Sequence, residues 1–159
     1  MKYFLSLGSN IGQKRKNLRL ALALLEKEGG KVLRASSLYK TQPVGISDQP
    51  WFYNQVVEVE TDLSPFSLLR LIKEIEKNMG RKTTVNQGPR LIDIDILLAG
   101  NSVIRTRELI IPHPRLEKRN FVLIPLGEIS PETVHPFLKI KIEDLGKKSK
   151  DPSLVKKLR

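Results

Sequence analysis

The order in which two apolar periods alternate along this chain constrains its fold more than any other feature. Lys2 to Leu7 is a short apolar run followed by the turn residues Gly8, Ser9 and Asn10, the pattern of a buried strand. Leu18, Ala21, Leu22 and Leu25 then recur at helical spacing, and Gly29 and Gly30 supply the stop. Val32 to Tyr39 is strand-like, and beyond a loop from Thr41 to Pro50 the stretch Trp51 to Thr61 is rich in aromatic and β-branched residues, which predicts a second strand pair. Ser64 followed by Pro65 marks a helix start, because serine accepts from the free amides and proline at the first helical position has no N–H to lose. Leu68, Leu71, Ile72, Ile75 and Met79 form one apolar stripe that stops at Gly80, and Leu91 to Leu98 is a further strand.

Strand, helix, strand, strand, helix, strand is the split βαβ plan of ferredoxin-like domains, an α+β fold (an α/β sandwich) whose helices pack on one face of a mainly antiparallel sheet. From Asn101 onward prolines crowd around His113 and recur at Pro125, so loops and short helices are expected as C-terminal additions covering the sheet. With 159 residues, no internal repeat and no linker, the chain reads as one domain, residues 1–159. It contains no cysteine, which removes disulfide frameworks, zinc ribbons, iron–sulfur clusters and thiol nucleophiles and fits a reducing compartment. The apolar stretch at the N-terminus is too short for a signal peptide or a membrane span, so a cytoplasmic protein with no membrane partner is expected.

Lys and Arg outnumber Asp and Glu by 28 to 17, a net charge of +11 that favours an anionic partner. Residues 139–159 hold eight basic and three acidic residues, and this basic C-terminal stretch is expected as a solvated tail.

The most informative segment is GPRLIDIDILL, residues 88–98. Side chains alternate along a strand, so Asp93 and Asp95 share one face while Ile92, Ile94, Ile96 and Leu98 share the other. Two carboxylates on one face repel unless water or a cation relieves them, and a hard ion such as Mg²⁺ does so; two surface aspartates on a solvated strand are the alternative. Arg90 precedes this strand, and His113, Arg115, Lys118 and Arg119 follow it among prolines. Carboxylates beside fixed cations are what phosphoryl transfer needs, since its catalysis is positioning and charge neutralisation. Taken singly, His113 could pack between its flanking prolines and Arg115 or Lys118 could be surface charge, while His135, also beside a proline, reads as structural. The turn from Gly8 to Gly12 lacks both the Gly-Lys-Ser/Thr ending of a P-loop and the spacing of a dinucleotide fingerprint. Ser9 and Asp93 are 84 positions apart, which counts against a nucleotidyltransferase plan in which a Gly-Ser pair and an Asp pair lie close together.

The segments LGSNIG (7–12), YKTQPVGISDQPWFYNQV (39–56), GPRLIDIDILL (88–98) and IPHPRLEKRNFVLIPLGEISP (111–131) together resemble the 6-hydroxymethyl-7,8-dihydropterin pyrophosphokinases of folate biosynthesis. The resemblance runs to about residue 137 in the family's order and spacing. It implies a ferredoxin-like core, transfer of diphosphate from MgATP to the hydroxymethyl group of the pterin, and release of AMP. Residue by residue, it implies that Asp93 and Asp95 hold two Mg²⁺ ions and that Arg81 and Arg90 are catalytic arginines on the phosphate side. It further implies ATP contacts from Glu76 near the ribose and from Arg90, His113 and Arg119. For the pterin it implies that Asn54 reads the ring edge, that Thr41, Pro43 and Val44 form the adjoining loop, and that Phe52 and Phe121 sandwich the ring. Core packing is the alternative for both phenylalanines. Between Gly80 and Gly88 the chain reads RKTTVNQ, with Thr83 and Gln87 near the places where better-known members carry a second Arg and a Trp.

A module of another class, an RNA-binding domain, shares the ferredoxin-like plan and a basic charge. Such domains place a Lys/Arg-Gly-Phe/Tyr aromatic motif on a central strand, whereas this chain carries two acids there, so no nucleic-acid partner is expected.

Overall fold

The computed structural model describes residues 1–44, 48–80 and 90–158. Its centre is an antiparallel sheet built on β1 (Lys2–Ser9) and β4 (Phe52–Glu60), which pair from Lys2↔Glu60 to Ser9↔Tyr53. The other edge of β1 carries β5 (Asp93–Ala99). The other edge of β4 carries β2 (Lys31–Ala35) and then β3 (Tyr39–Thr41), and β8 (Val155–Lys157) adds to β3. A separate two-residue ribbon joins β6 (Ile104–Arg105) to β7 (Ile110–Ile111).

The expected single strand from Val32 to Tyr39 is thus two strands. Ser36 interrupts it by giving its N–H to Val56 O and taking the Val56 N–H on its hydroxyl, so a side chain replaces a ladder carbonyl and the edge is broken there.

Helices α1 (Lys14–Lys27) and α2 (Pro65–Asn78) cover one face. Leu18, Ala21 and Leu25 of α1 and Leu68, Ile72 and Ile75 of α2 meet Tyr3, Leu5 and Leu7 of β1 and Val57 and Val59 of β4 in one buried cluster. Ser64 caps α2 as its sequence indicates, its hydroxyl accepting from Ser67 N–H at 3.3 Å with Pro65 beginning the helix. The stop after Met79 is taken by Gly80 at φ +90°, a left-handed turn that costs a side-chain-bearing residue more.

The opposite face is also covered. A short 3-10 turn (Leu116–Lys118) leads into α3 (Asn120–Ile129), and α4 (Ile142–Lys148) packs against α3. Leu116, Val122, Leu123, Leu126, Ile142 and Leu145 form a second cluster with Phe4, Val56, Leu97 and Leu98. Helices therefore lie on both faces, where the two-helix plan alone places them on one. Leu98, expected beside Ile94 and Ile96, belongs to this second cluster because the β1–β5 register shifts between Phe4 and Leu5; a bulge reverses which face a side chain meets.

The stretch from 139 onward is not a solvated tail. Its lysines point outward, but Ile142 and Leu145 are buried and residues 155–157 complete a sheet edge. Alternation of apolar anchors with basic residues gives the segment one packed side, which its net charge conceals. Among the described residues no helix is long and apolar enough to cross a membrane.

The two kinds of anchor in α2 differ in magnitude. Ser64→Ala is expected to cost about 1 kcal/mol, a single cap, and Leu68→Ala about 2 to 5 kcal/mol, transfer plus cavity. Urea unfolding of both variants checks the order; equal losses would mean that the helix is not held mainly by its buried face.

Candidate active site

The position of the site follows from ladder register. Gly8 stands opposite Asn54 on one neighbour and Asp93 on the other, and Ser6 stands opposite Val56 and Asp95. Directly opposed residues point to the same face. A row Asn54–Gly8–Asp93 therefore crosses three strands on the α3 side of the sheet, beyond the end that α3 covers. Gly8 has no side chain, and a Cβ there would run into the Asn54 side-chain oxygen. The glycine leaves a depression between an amide and a carboxylate.

Above this row lies a cavity of about 380 Å³. Its floor is Ser6, Gly8, Asn54, Asp93 and Asp95; one wall is Thr41, Gln42, Val44 and Phe52; the opposite wall is His113, Pro114, Arg115, Arg119 and Phe121, with Arg90 at the rim. Ten of the thirteen residues that the resemblance implies thus line one space: Thr41, Val44, Phe52, Asn54, Arg90, Asp93, Asp95, His113, Arg119 and Phe121. Pro43 is half-buried between two lining residues without lining the cavity itself. Arg81, with Thr83 and Gln87, lies outside the described residues. Ser6, Gly8 and Gln42 were not legible as site residues, because strand register alone brings the first two beneath the cavity.

Glu76, expected at a ribose, does not line the cavity. It is 2% exposed, and its Oε2 accepts the Ile94 N–H at 2.9 Å. That hydrogen bond has a topological reason. β5 ends the sheet on that side rather than occupying its centre, so its outward amide needs an acceptor from α2. Leu97 O on the same edge accepts the His113 N–H at 3.0 Å.

Electrostatics in the cavity follow from burial. Desolvation first, and then the neighbouring Asp93 charge, push the Asp95 carboxyl up to about 7, against the pull of Arg119. Desolvation, followed by the charges of Arg119 and Arg115, holds the His113 imidazole down to about 4, so it is neutral near pH 7. His113 Nδ1 accepts the Arg115 N–H at 3.1 Å, which leaves the ring proton on Nε2 as a donor. Asn54 is buried and gives its amide N–H to Thr41 Oγ1, so its carbonyl end is turned toward Gly8. The Arg119 guanidinium lies 5.3 Å from the Phe121 ring centroid.

Asn10 ties the rim together. It is 1% exposed; its Oδ1 takes the Arg90 N–H at 2.7 Å, its own N–H goes to Arg90 O at 3.0 Å, and its Nδ2 donates to Gln49 Oε1 and Pro50 O, both at 2.9 Å. One buried amide thus joins the approach to Asp93 with the approach to Phe52.

A sheet face with paired carboxylates, convergent cations and an amide-floored slot has the chemistry to hold a polyphosphate beside a flat polar ring. Over residues 4–131 the chain matches the profile of the 7,8-dihydro-6-hydroxymethylpterin-pyrophosphokinase (HPPK) family. It belongs to that family. It is 49% identical over 127 residues to the 2-amino-4-hydroxy-6-hydroxymethyldihydropteridine pyrophosphokinase of Bacillus subtilis, covering 79% of this chain and 76% of that protein. It is 48% identical over 135 residues to the Folic acid synthesis protein fol1 of Schizosaccharomyces pombe, covering 84% of this chain but 18% of that much longer protein. An HPPK-DHPS structure from Plasmodium falciparum shares the fold, with a TM-score of 0.77 at 22% identity over 92% of this chain and 43% of that one.

Asn10→Ala deletes three side-chain hydrogen bonds and leaves the Arg90 N–H without its acceptor, a loss expected to be about 2 to 4 kcal/mol. Urea unfolding measures the loss, and hydrogen exchange at the Arg90 amide should quicken; an unchanged Arg90 amide would show that the rim does not depend on Asn10.

Proposed function

We propose that this chain transfers the terminal diphosphate of ATP to the hydroxymethyl oxygen of 6-hydroxymethyl-7,8-dihydropterin. The hydroxyl oxygen bonds to the β-phosphorus, the bond from that phosphorus to the α–β bridging oxygen breaks, the hydroxyl proton passes to water, and AMP leaves with the bridging oxygen. The observation that carries this reading is the juxtaposition, in one cavity, of Asp93 and Asp95 with His113, Arg115 and Arg119 on one side and Asn54, Thr41 and Phe52 on the other.

The donor chemistry suits the Mg²⁺ that the family implies. Asp93 and Asp95 present only oxygen, stand two apart on one strand, and repel each other strongly enough to help raise Asp95 to about 7. Among the described residues no third His, Asp or Glu completes a cage, which matches an ion that completes its shell with phosphate oxygens and water. Held there, Mg²⁺, two ions in this reading, supplies neutralisation of the triphosphate charge.

The chain's own groups do the rest. Arg90, Arg115 and Arg119, with Arg81, hold phosphate oxygens and set the β-phosphorus in line with the hydroxyl. Neutral His113 donates its Nε2–H to a phosphate oxygen and adds no charge to an already cationic wall. Asn54 and Thr41 meet the donor–acceptor edge of the pterin, and Phe52 and Phe121 flank its faces. Pro43 and Val44 shape the adjoining loop. Glu76 acts in this reading by holding β5 through Ile94, and thereby the two aspartates on either side of it. The substrates are small molecules, and the absence of cysteine accords with a reducing, cytoplasmic setting.

Incubation with MgATP and the hydroxymethyl dihydropterin is expected to give AMP and pterin diphosphate in equal amounts, with no nucleotide consumed when the pterin is omitted. Asp95→Asn should lower kcat by about a thousandfold or more, the loss of several kcal/mol of charge stabilisation. ADP as product, or near-normal turnover of that variant at ordinary Mg²⁺, would refute the assignment.

Phe121→Ala is expected to weaken pterin binding by about 1 to 3 kcal/mol while leaving the affinity for a non-hydrolysable ATP analogue nearly unchanged. Calorimetry with each ligand separates these; equal losses for both would make Phe121 a packing residue of the wall.

A further inference from the structure

Asp151 lies twenty positions beyond the span that matches the family, yet it grips the start of α3 between two cavity residues. Helix starts leave amides without internal partners, and a serine, threonine, aspartate or asparagine normally precedes them. Here the preceding residue is Arg119, which has no acceptor and makes no cap. Asp151 supplies the acceptor from a distant segment: its Oδ2 takes the Asn120 N–H at 2.8 Å. Its other oxygen takes the Ser153 N–H at 2.9 Å, so the carboxylate is fixed at both ends.

The grip is reciprocal. Asn120 Nδ2 donates to Asp151 O at 2.9 Å, and Ser149 Oγ donates to Asn120 Oδ1 at 2.6 Å. Burial disfavours the Asp151 charge, but the Asn120 and Ser153 amides and the nearby Arg119 charge outweigh it and hold the carboxyl below its ordinary value. A carboxylate at a helix N-terminus also meets the positive end of the helix dipole. The segment bearing Asp151 is itself anchored downstream, where Leu154 exchanges hydrogen bonds with Gln42 and β8 pairs with β3.

Arg119 and Phe121 flank the capped residue, and both line the cavity. A shift of the first turn of α3 therefore moves the cation that faces Asp93 and Asp95 together with the ring on the pterin side.

We propose that Asp151 is a positioning residue that caps α3 from the C-terminal segment and thereby sets Arg119 and Phe121 for phosphoryl transfer. The inference rests on the pterin pyrophosphokinase reading, so AMP formation by the unaltered protein is established first, and hydrogen exchange at the Asn120 to Leu123 amides reports the cap without turnover. Asp151→Ala should speed that exchange and lower kcat/KM for the pterin by about tenfold or more. Asp151→Asn, which keeps an oxygen facing the Asn120 amide, should recover kcat/KM to within about threefold of the unaltered protein. Ser64→Ala, a cap of similar strength on α2 and away from the cavity, serves as the stability control and should leave kcat/KM unchanged.

Unchanged exchange in Asp151→Ala overturns the proposal whatever the activity, as does a kcat/KM within about twofold of the unaltered protein. An equal loss in the Ala and Asn variants overturns it as well, since charge near Arg119 and not the cap would then be responsible. Should Asp151→Ala fail to fold, Asp151→Glu decides: its longer arm displaces the carboxylate at constant charge, and an undiminished kcat/KM there refutes the positioning role.

Discussion

Three strands meet at Gly8, and most of the cavity depends on that meeting. Antiparallel pairing with Asn54 on one side and Asp93 on the other sets an amide and a carboxylate on one face, separated by a residue that contributes no side chain. The separation matters because the Asn54 oxygen already occupies the space where a Cβ would stand. A one-residue slip of β1 would turn Tyr3, Leu5 and Leu7 out of the α1/α2 core, so apolar burial on one face holds the polar row on the other. Core packing and site geometry are two readings of a single register.

The same burial sets the electrostatics. Desolvation raises Asp95 to about 7 and lowers His113 to about 4, two shifts in opposite directions with one cause, because each group loses the solvent that favours its charged form. The result is a wall whose imidazole is a neutral donor and a floor whose carboxylates repel. Such a floor is poorly satisfied by itself, and the magnesium-bound triphosphate of the proposed reaction would bring the opposite charge that relieves it.

The C-terminal layer shows why net charge is a poor guide to structure. Residues 139–158 are rich in lysine, yet Ile142 and Leu145 seat α4 on α3 and β8 closes the sheet beside β3. Glu128 on α3 takes hydrogen bonds from Ser37 and Tyr39, and Lys157 lies 3.5 Å from it, so the far end of α3 is tied to the same edge strands. Charge governs what the surface attracts, while two apolar residues at helical spacing suffice to dock a short helix.

Local periodicity, caps and the Asp-x-Asp alternation are short-range properties, and the sequence by itself determined them: the strand–helix order, the Ser64–Pro65 start of α2, and the common face of Asp93 and Asp95. Matching motifs likewise assigned most of the cavity residues, because their chemistry is written in their own side chains. Only the tertiary structure decided that Ser36 splits an apparent strand, that a bulge carries Leu98 to the opposite core, and that Ser6 and Gly8 floor the cavity. It also decided that Glu76 serves a strand edge and that Asp151 caps a helix 31 residues away. Each of these turns on a backbone amide or carbonyl that seeks a partner distant in the chain. The backbone is chemically the same at every residue but proline, so no pattern of side chains announces where such a partner will be found.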